Sequence, residues 1–199
     1  MTLVSPGKLA ATLMLAGTLA GCVDAAVEVE LAGSETARMV VTQAMNADFY
    51  GMLDAEAGRD SDDGAKHPER FCMEGELTEK RDGSAICTIA VEGTLRQLNR
   101  AGQPVRFTSE EDGLVRIELA LEVRDAIGAG ETDEDGRRML EAFFSGRKLT
   151  VNFSGGAIVD TNMEASADGQ TATAVLPLLD VINGTGDWPD VLYAVVRRH

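Results

Sequence analysis

The strongest pattern in the chain is an alternation. Between Leu114 and Arg124, the residues Val115, Ile117, Leu119, Leu121 and Val123 fall on one side, and Arg116, Glu118, Glu122 and Arg124 on the other. Successive strand side chains point to opposite faces, so this segment predicts a strand with one face buried and one wet. Val27-Glu-Val-Glu-Leu31 has the same period. Thr36–Thr42 follows it across the turn Ala32-Gly-Ser-Glu35, which predicts a hairpin over 25–42. Ala85, Cys87, Ile89 and Val91 also share a face, and Asp82-Gly83 supplies a hairpin turn between Leu77–Lys80 and Ala85–Glu92. Val105–Ser109 pairs with the Leu114 strand around Glu110-Glu-Asp-Gly113. Lys148–Phe153, Ala157–Val159, Thr171–Leu176 and Val191–Val196 are further strands, with Asp168-Gly169 turning the chain before Thr171. Gly155-Gly156 marks a bulge or bend between two strand segments.

The period changes in two places. From Gln43 to Ala57, the residues Ala44, Met45, Phe49, Met52 and Leu53 make a helical stripe. Asp133–Phe144 reads as a second helix, with Met139, Leu140, Phe143 and Phe144 as its apolar face and Gly146 near its end. Thr94–Arg100 is ambiguous between a short helix and irregular chain, and Leu178–Asn183 reads as a short helical turn. Together these elements predict an α+β fold: a mostly antiparallel sheet of about eight strands built from hairpins, with two main helices packed on one face. No Gly/Ser linker or repeat divides residues 27–199, so they are expected to form a single domain.

The N-terminal stretch belongs to another kind of signal. Lys8 precedes the apolar run Leu9–Ala20, which is shorter than the roughly 20 residues needed to span a bilayer but suits the core of a secretory signal. The run ends in Leu19-Ala20-Gly21-Cys22, which resembles the bacterial lipobox: a branched apolar residue, two small ones and a cysteine. The small residues admit the backbone to the signal peptidase. The Cys22 thiol takes a diacylglyceryl group, and cleavage frees its amine. A single acyl chain binds a membrane only marginally, so two or three are required. Residues 1–21 are thus expected to be a lipoprotein signal peptide, Cys22 the lipidated first mature residue, and 22–26 a short tether.

Composition fits an anchored, exported body. Hydrophobic residues are 44%, near the globular norm, while aromatics are 5% with Trp188 the one tryptophan, so the core must be largely aliphatic. The net charge of −15 repels nucleic acid and anionic headgroups, which excludes a nucleic-acid partner and leaves the covalent lipid to hold the protein at a membrane. Cys72 and Cys87 remain after Cys22 is set aside. In an oxidising compartment such a pair favours a disulfide over two free thiols.

Candidate chemistry is sparse. The histidines are His67, in the acidic loop Gly58–Glu69, and His199 at the terminus, and no nucleophile elbow accompanies them. Glu131-Thr-Asp133-Glu-Asp135-Gly136 begins like a calcium loop. However, Ala142 stands where the closing bidentate Glu belongs and Arg138 where an apolar residue belongs. Acids at a helix start, favoured by the macrodipole, account for the same residues. Ser154-Gly155-Gly156 lacks the Lys-Ser/Thr of a phosphate loop. No catalytic residue, metal site or cofactor is expected, and the chain is not expected to be an enzyme.

The order of elements resembles the LppM-like bacterial lipoproteins: lipobox, immediate strand hairpin (Val27–Thr42), helix, further hairpins, and a late segment Leu149–Asn162 followed by Asp168–Leu176. In this chain the bend of that segment is Ser154-Gly155, Asn162 is followed by Met163, and 171–176 carries no tryptophan. The resemblance implies an α/β domain outside the cytoplasm, linked in one member type to lipid or glycolipid binding, and it brings no catalytic residues. The expected function is therefore that of a non-catalytic envelope lipoprotein, lipid-anchored and facing the periplasm or exterior, which binds a lipid or other amphiphile in an apolar groove. The alternative is an interaction subunit of an envelope protein complex.

Overall fold

Strand β1 (Val23–Leu31) pairs antiparallel with β2 (Thr36–Met45), as the shared period predicts, with Val27, Val29 and Leu31 turned to the core and Glu28 and Glu30 to solvent. This is a computed structural model that describes residues 23–52, 72, 74–100, 104–121 and 144–198, and the single positions 134, 138, 141 and 142. β3 (Glu76–Glu79) and β4 (Ala85–Thr94) extend the ladder beside β2. On the other side of β1 lie β7 (Lys148–Ser154), β10 (Thr171–Pro177) and the two-residue β9 (Glu164–Ala165), which completes a 7-stranded sheet in the order β3-β4-β2-β1-β7-β10-β9. A second, 4-stranded sheet has the order β5 (Val105–Ser109), β6 (Leu114–Ala120), β11 (Val191–Arg197), β8 (Ala157–Thr161).

The two sheets share one core. Val29, Met39, Val151 and Phe153 of the first pack in one cluster with Phe107, Val115, Ile117, Leu192 and Val196 of the second. Leu95 and Leu98 of the Leu95–Arg100 helix and Val181 of the Leu178–Asn183 helix join it. The cluster is mainly Val, Leu, Ile and Ala with two phenylalanines, the aliphatic core that the scarcity of aromatic residues requires.

Three expectations are corrected. The strands number eleven among the described residues and form two sheets, not one sheet of about eight. The larger sheet is mixed, because β1 and β7 run parallel (Ala25↔Leu149 to Glu30↔Ser154). A parallel pair needs a long crossover, and strand periodicity carries no trace of which distant strand it joins. The apolar face of the large sheet is covered by the second sheet; the helices with described bounds are 6 residues each and sit beside that contact.

Gln43–Met45, expected to begin a helix, instead end β2, zipped between Val23–Ala25 and Ala85–Cys87. Ladders on both sides outweigh a local helical stripe. The helix starts later, over 47–52, where Asn46 Oδ1 accepts from the Phe49 amide at 2.9 Å as an N-cap. Residues 53–57 of that prediction lie outside the described residues. Of Asp133–Phe144, positions 134, 138, 141, 142 and 144 are helical and the rest lie outside. Leu178–Asn183 is a helix as expected, and the ambiguous segment resolves to the Leu95–Arg100 helix.

Both Asp-Gly hairpins form. Asp82 Oδ1 accepts from the Ser84 amide (3.0 Å) and hydroxyl (2.6 Å), and Asp168 Oδ1 accepts from the Ser166 hydroxyl (2.6 Å) and the Gln170 amide (3.1 Å). Each carboxylate stands in for a backbone acceptor inside its turn. Gly155-Gly156 is more than a bulge: it carries the chain from β7 in one sheet to β8 in the other.

Candidate functional site

Cys22, the expected lipidation residue, lies outside the described residues, as do His67, His199 and, apart from Glu134, the acids of Glu131–Gly136. Glu134 pairs with Arg138 one helical turn on, at 2.6 Å, the arrangement of a solvated helix surface. Cys72 and Cys87 form a disulfide with Cα atoms 5.4 Å apart. Cys87 is a buried β4 residue, so the bond pins the chain that enters β3 onto the face of the large sheet. Among the described residues, no group of His, Cys, Asp or Glu could hold a metal ion, and no helix is long and apolar enough to cross a membrane.

Two polar features among the described residues stand out. One is the end of the large sheet where β1 begins. β1 starts at Val23, so residues 23–26, expected as a tether, are in the ladder opposite Thr42–Met45. Beside them Arg147, the residue before β7, is buried with 2% of its side chain exposed. Its Nη1 is 3.9 Å from Asp24 Oδ2, while Nε and Nη2 have no hydrogen-bond partner among the described residues. Asp24 is 58% exposed, and its other oxygen accepts from the Lys148 amide at 3.2 Å. The Arg147 carbonyl accepts from the Leu178 amide at 2.8 Å, which ties this corner to the Leu178–Asn183 helix. Sequence reading missed Arg147, because a basic residue just past a helix resembles an ordinary exposed C-terminal cation.

The second is the outer face of the smaller sheet. The Arg116 guanidinium lies 4.0 Å over the Tyr193 ring and donates through Nε to Glu118 at 2.8 Å. The hydrogen bond to Glu118 raises the Arg116 pKa, against a smaller opposing effect of burial. Tyr193 donates its hydroxyl to Asp160 at 3.1 Å, and that bond holds its pKa above the ordinary tyrosine value. Next to this row a groove of about 740 Å³ runs along β5, lined by Pro104, Arg106, Thr108, Glu118 and Val191 among others. The alternation in Leu114–Arg124 foretold that Arg116 and Glu118 share a wet face; their partners on β8 and β11 had no signal.

No protein-family model and no curated protein matches this chain. It is similar in structure to the folded domain of the LppM protein of Mycobacterium tuberculosis, solved by NMR. That likeness covers 90% of this chain and 91% of the other at 10% sequence identity, with a TM-score of 0.43. This likeness assigns no role to any residue.

Proposed function

We propose that this chain is a non-catalytic envelope lipoprotein, anchored through Cys22, whose sandwich lies against the membrane surface and engages lipid there. The observation that carries this reading is the start of β1 at Val23, directly after the lipobox cysteine. An acyl group on Cys22 leaves no free tether, so the end of the large sheet that holds Asp24 and Arg147 meets the headgroups. The interior is filled by Phe153, Ile117, Leu176 and Leu192, which directs lipid contact to the anchored end and not to a groove between the sheets. Cys22→Ala is expected to lose fatty-acid labelling and to leave the membrane fraction. Continued recovery as a labelled membrane protein sinks the anchor. Native mass spectrometry of the membrane-extracted chain tests the lipid contact, and the absence of any co-purifying lipid counts against it.

A second reading, an interaction subunit of an envelope complex, draws support from the polar row and groove on the smaller sheet. A photo-crosslinker at exposed Thr108 tests it: recovery of one defined envelope protein supports this reading, and its absence removes it.

A further inference from the structure

Among the described residues, Arg147 is a charge without an adequate counter-charge. Buried guanidinium groups are paired and hydrogen-bonded because desolvation of the ion is otherwise uncompensated. Among the described residues, Nε and Nη2 have no partner, and the one ion pair, to Asp24, is at 3.9 Å, the far limit of such a contact. Asp24 is mostly exposed, and its other oxygen is taken by the Lys148 amide. The planar fork of an arginine matches the edge of a tetrahedral oxyanion and binds it through paired N–H groups.

We propose that Arg147 forms a binding site for a phosphate-class oxyanion, with Asp24 as the exposed gate that the oxyanion displaces. The site rests on the anchored reading above for its lipid source. Asp24 is two residues from Cys22, a reach of at most about 7 Å of chain. A chain of net charge −15 repels dissolved phosphate, whereas phosphodiesters beside an inserted acyl anchor are present at high effective concentration. The same fork accepts a free phosphate, so the two sources are separated by experiment.

The full-length chain in neutral detergent is melted against phosphatidylglycerol, diacylglycerol and inorganic phosphate. A ligand bound by the folded state alone raises Tm in a saturable way. Phosphatidylglycerol is expected to do so and diacylglycerol is not. Arg147→Lys keeps the charge but loses the fork, and is expected to weaken the response about tenfold or more. Asp24→Asn removes the competing carboxylate and is expected to tighten it. If the Arg147 variant does not fold, Asp24→Asn carries the test, and an unchanged affinity overturns the site. An Arg147-dependent response to inorganic phosphate assigns the free ion; a response to phosphatidylglycerol alone assigns the headgroup. No response, or an equal one in all three proteins, overturns the proposal. Fatty-acid labelling of the same preparations tests the anchor separately. An unlabelled chain that binds phosphate through Arg147 keeps the site and sinks the anchor, and a labelled chain without that response does the reverse.

Discussion

Asn99 holds both backbone groups of Phe107: its Nδ2 donates to the Phe107 carbonyl at 2.7 Å, and its Oδ1 accepts from the Phe107 amide at 2.8 Å. β5 is the edge of the smaller sheet, and one side chain from the Leu95–Arg100 helix supplies there what a neighbouring strand would. An unpaired edge is a template for another chain. Asn99→Ala is therefore expected to destabilise the fold by about 1–3 kcal/mol, the range for two lost bonds with partly buried partners. It is also expected to produce concentration-dependent association. Urea unfolding reads the first and sedimentation velocity the second; a monomeric variant of unchanged stability contradicts the edge-cap role.

Some of this was legible beforehand and some was not, for physical reasons. The period-two run at Val27–Leu31, the Leu114–Ala120 part of the Leu114–Arg124 run (122–124 lie outside the described residues) and the two Asp-Gly turns are local, and both sequence and structure place them alike. The β1–β7 pairing joins segments more than a hundred residues apart and has no local code. Gln43–Met45 carries a helical stripe that tertiary pairing overrides. At the candidate site, Arg147 gives no signal, because burial of a basic residue depends on what folds over it.

The disulfide closes a loop of sequence separation 15, for which the loop-entropy estimate is about 3 kcal/mol. Its removal by Cys72→Ser with Cys87→Ser is expected to lower the urea midpoint accordingly while the sheet survives, because β4 remains zipped to β2 from Thr36↔Thr94 to Met45↔Ala85. Far-ultraviolet circular dichroism reads the retained strand content. Loss of all strand signal in native buffer contradicts this.

The turn aspartates predict the acid response. Asp82 and Asp168 are both held below the ordinary aspartate pKa, chiefly by the side-chain hydrogen bonds from Ser84 and Ser166. A depressed folded pKa contributes stability above the unfolded value of about 3.9, lost as pH falls through the folded one. The Ser84 and Gln170 amide resonances are expected to titrate with midpoints below that value. Tyr193 has the opposite sign: its raised pKa favours the folded state below the ordinary tyrosine value of about 10, and this contribution is lost as pH rises through the folded pKa. Tyr193→Phe should remove that alkaline step. Amide midpoints at or above the unfolded value contradict the turn geometry.

The crossing between the sheets tests the fold most directly. Gly155 has φ +105°, a conformation that strains any side chain, and a Cβ there would meet the backbone of Leu31 in the neighbouring β1. Gly156 has no such φ, but a Cβ on it would run into the Arg197 carbonyl of β11. Gly169 is the control: its φ is +67°, and a Cβ there would meet nothing within 4 Å. The three alanine variants separate strain from collision. Gly169→Ala carries strain alone, about 1 kcal/mol. Gly155→Ala adds backbone contact with β1 to its strain, and Gly156→Ala carries backbone contact alone. Neither collision can be relieved without prising a strand from its sheet, so both are expected to lose more than about 2 kcal/mol. Equal effects at all three positions, read from urea midpoints, would show that the chain does not pass between the sheets where Leu31 and Arg197 close around it.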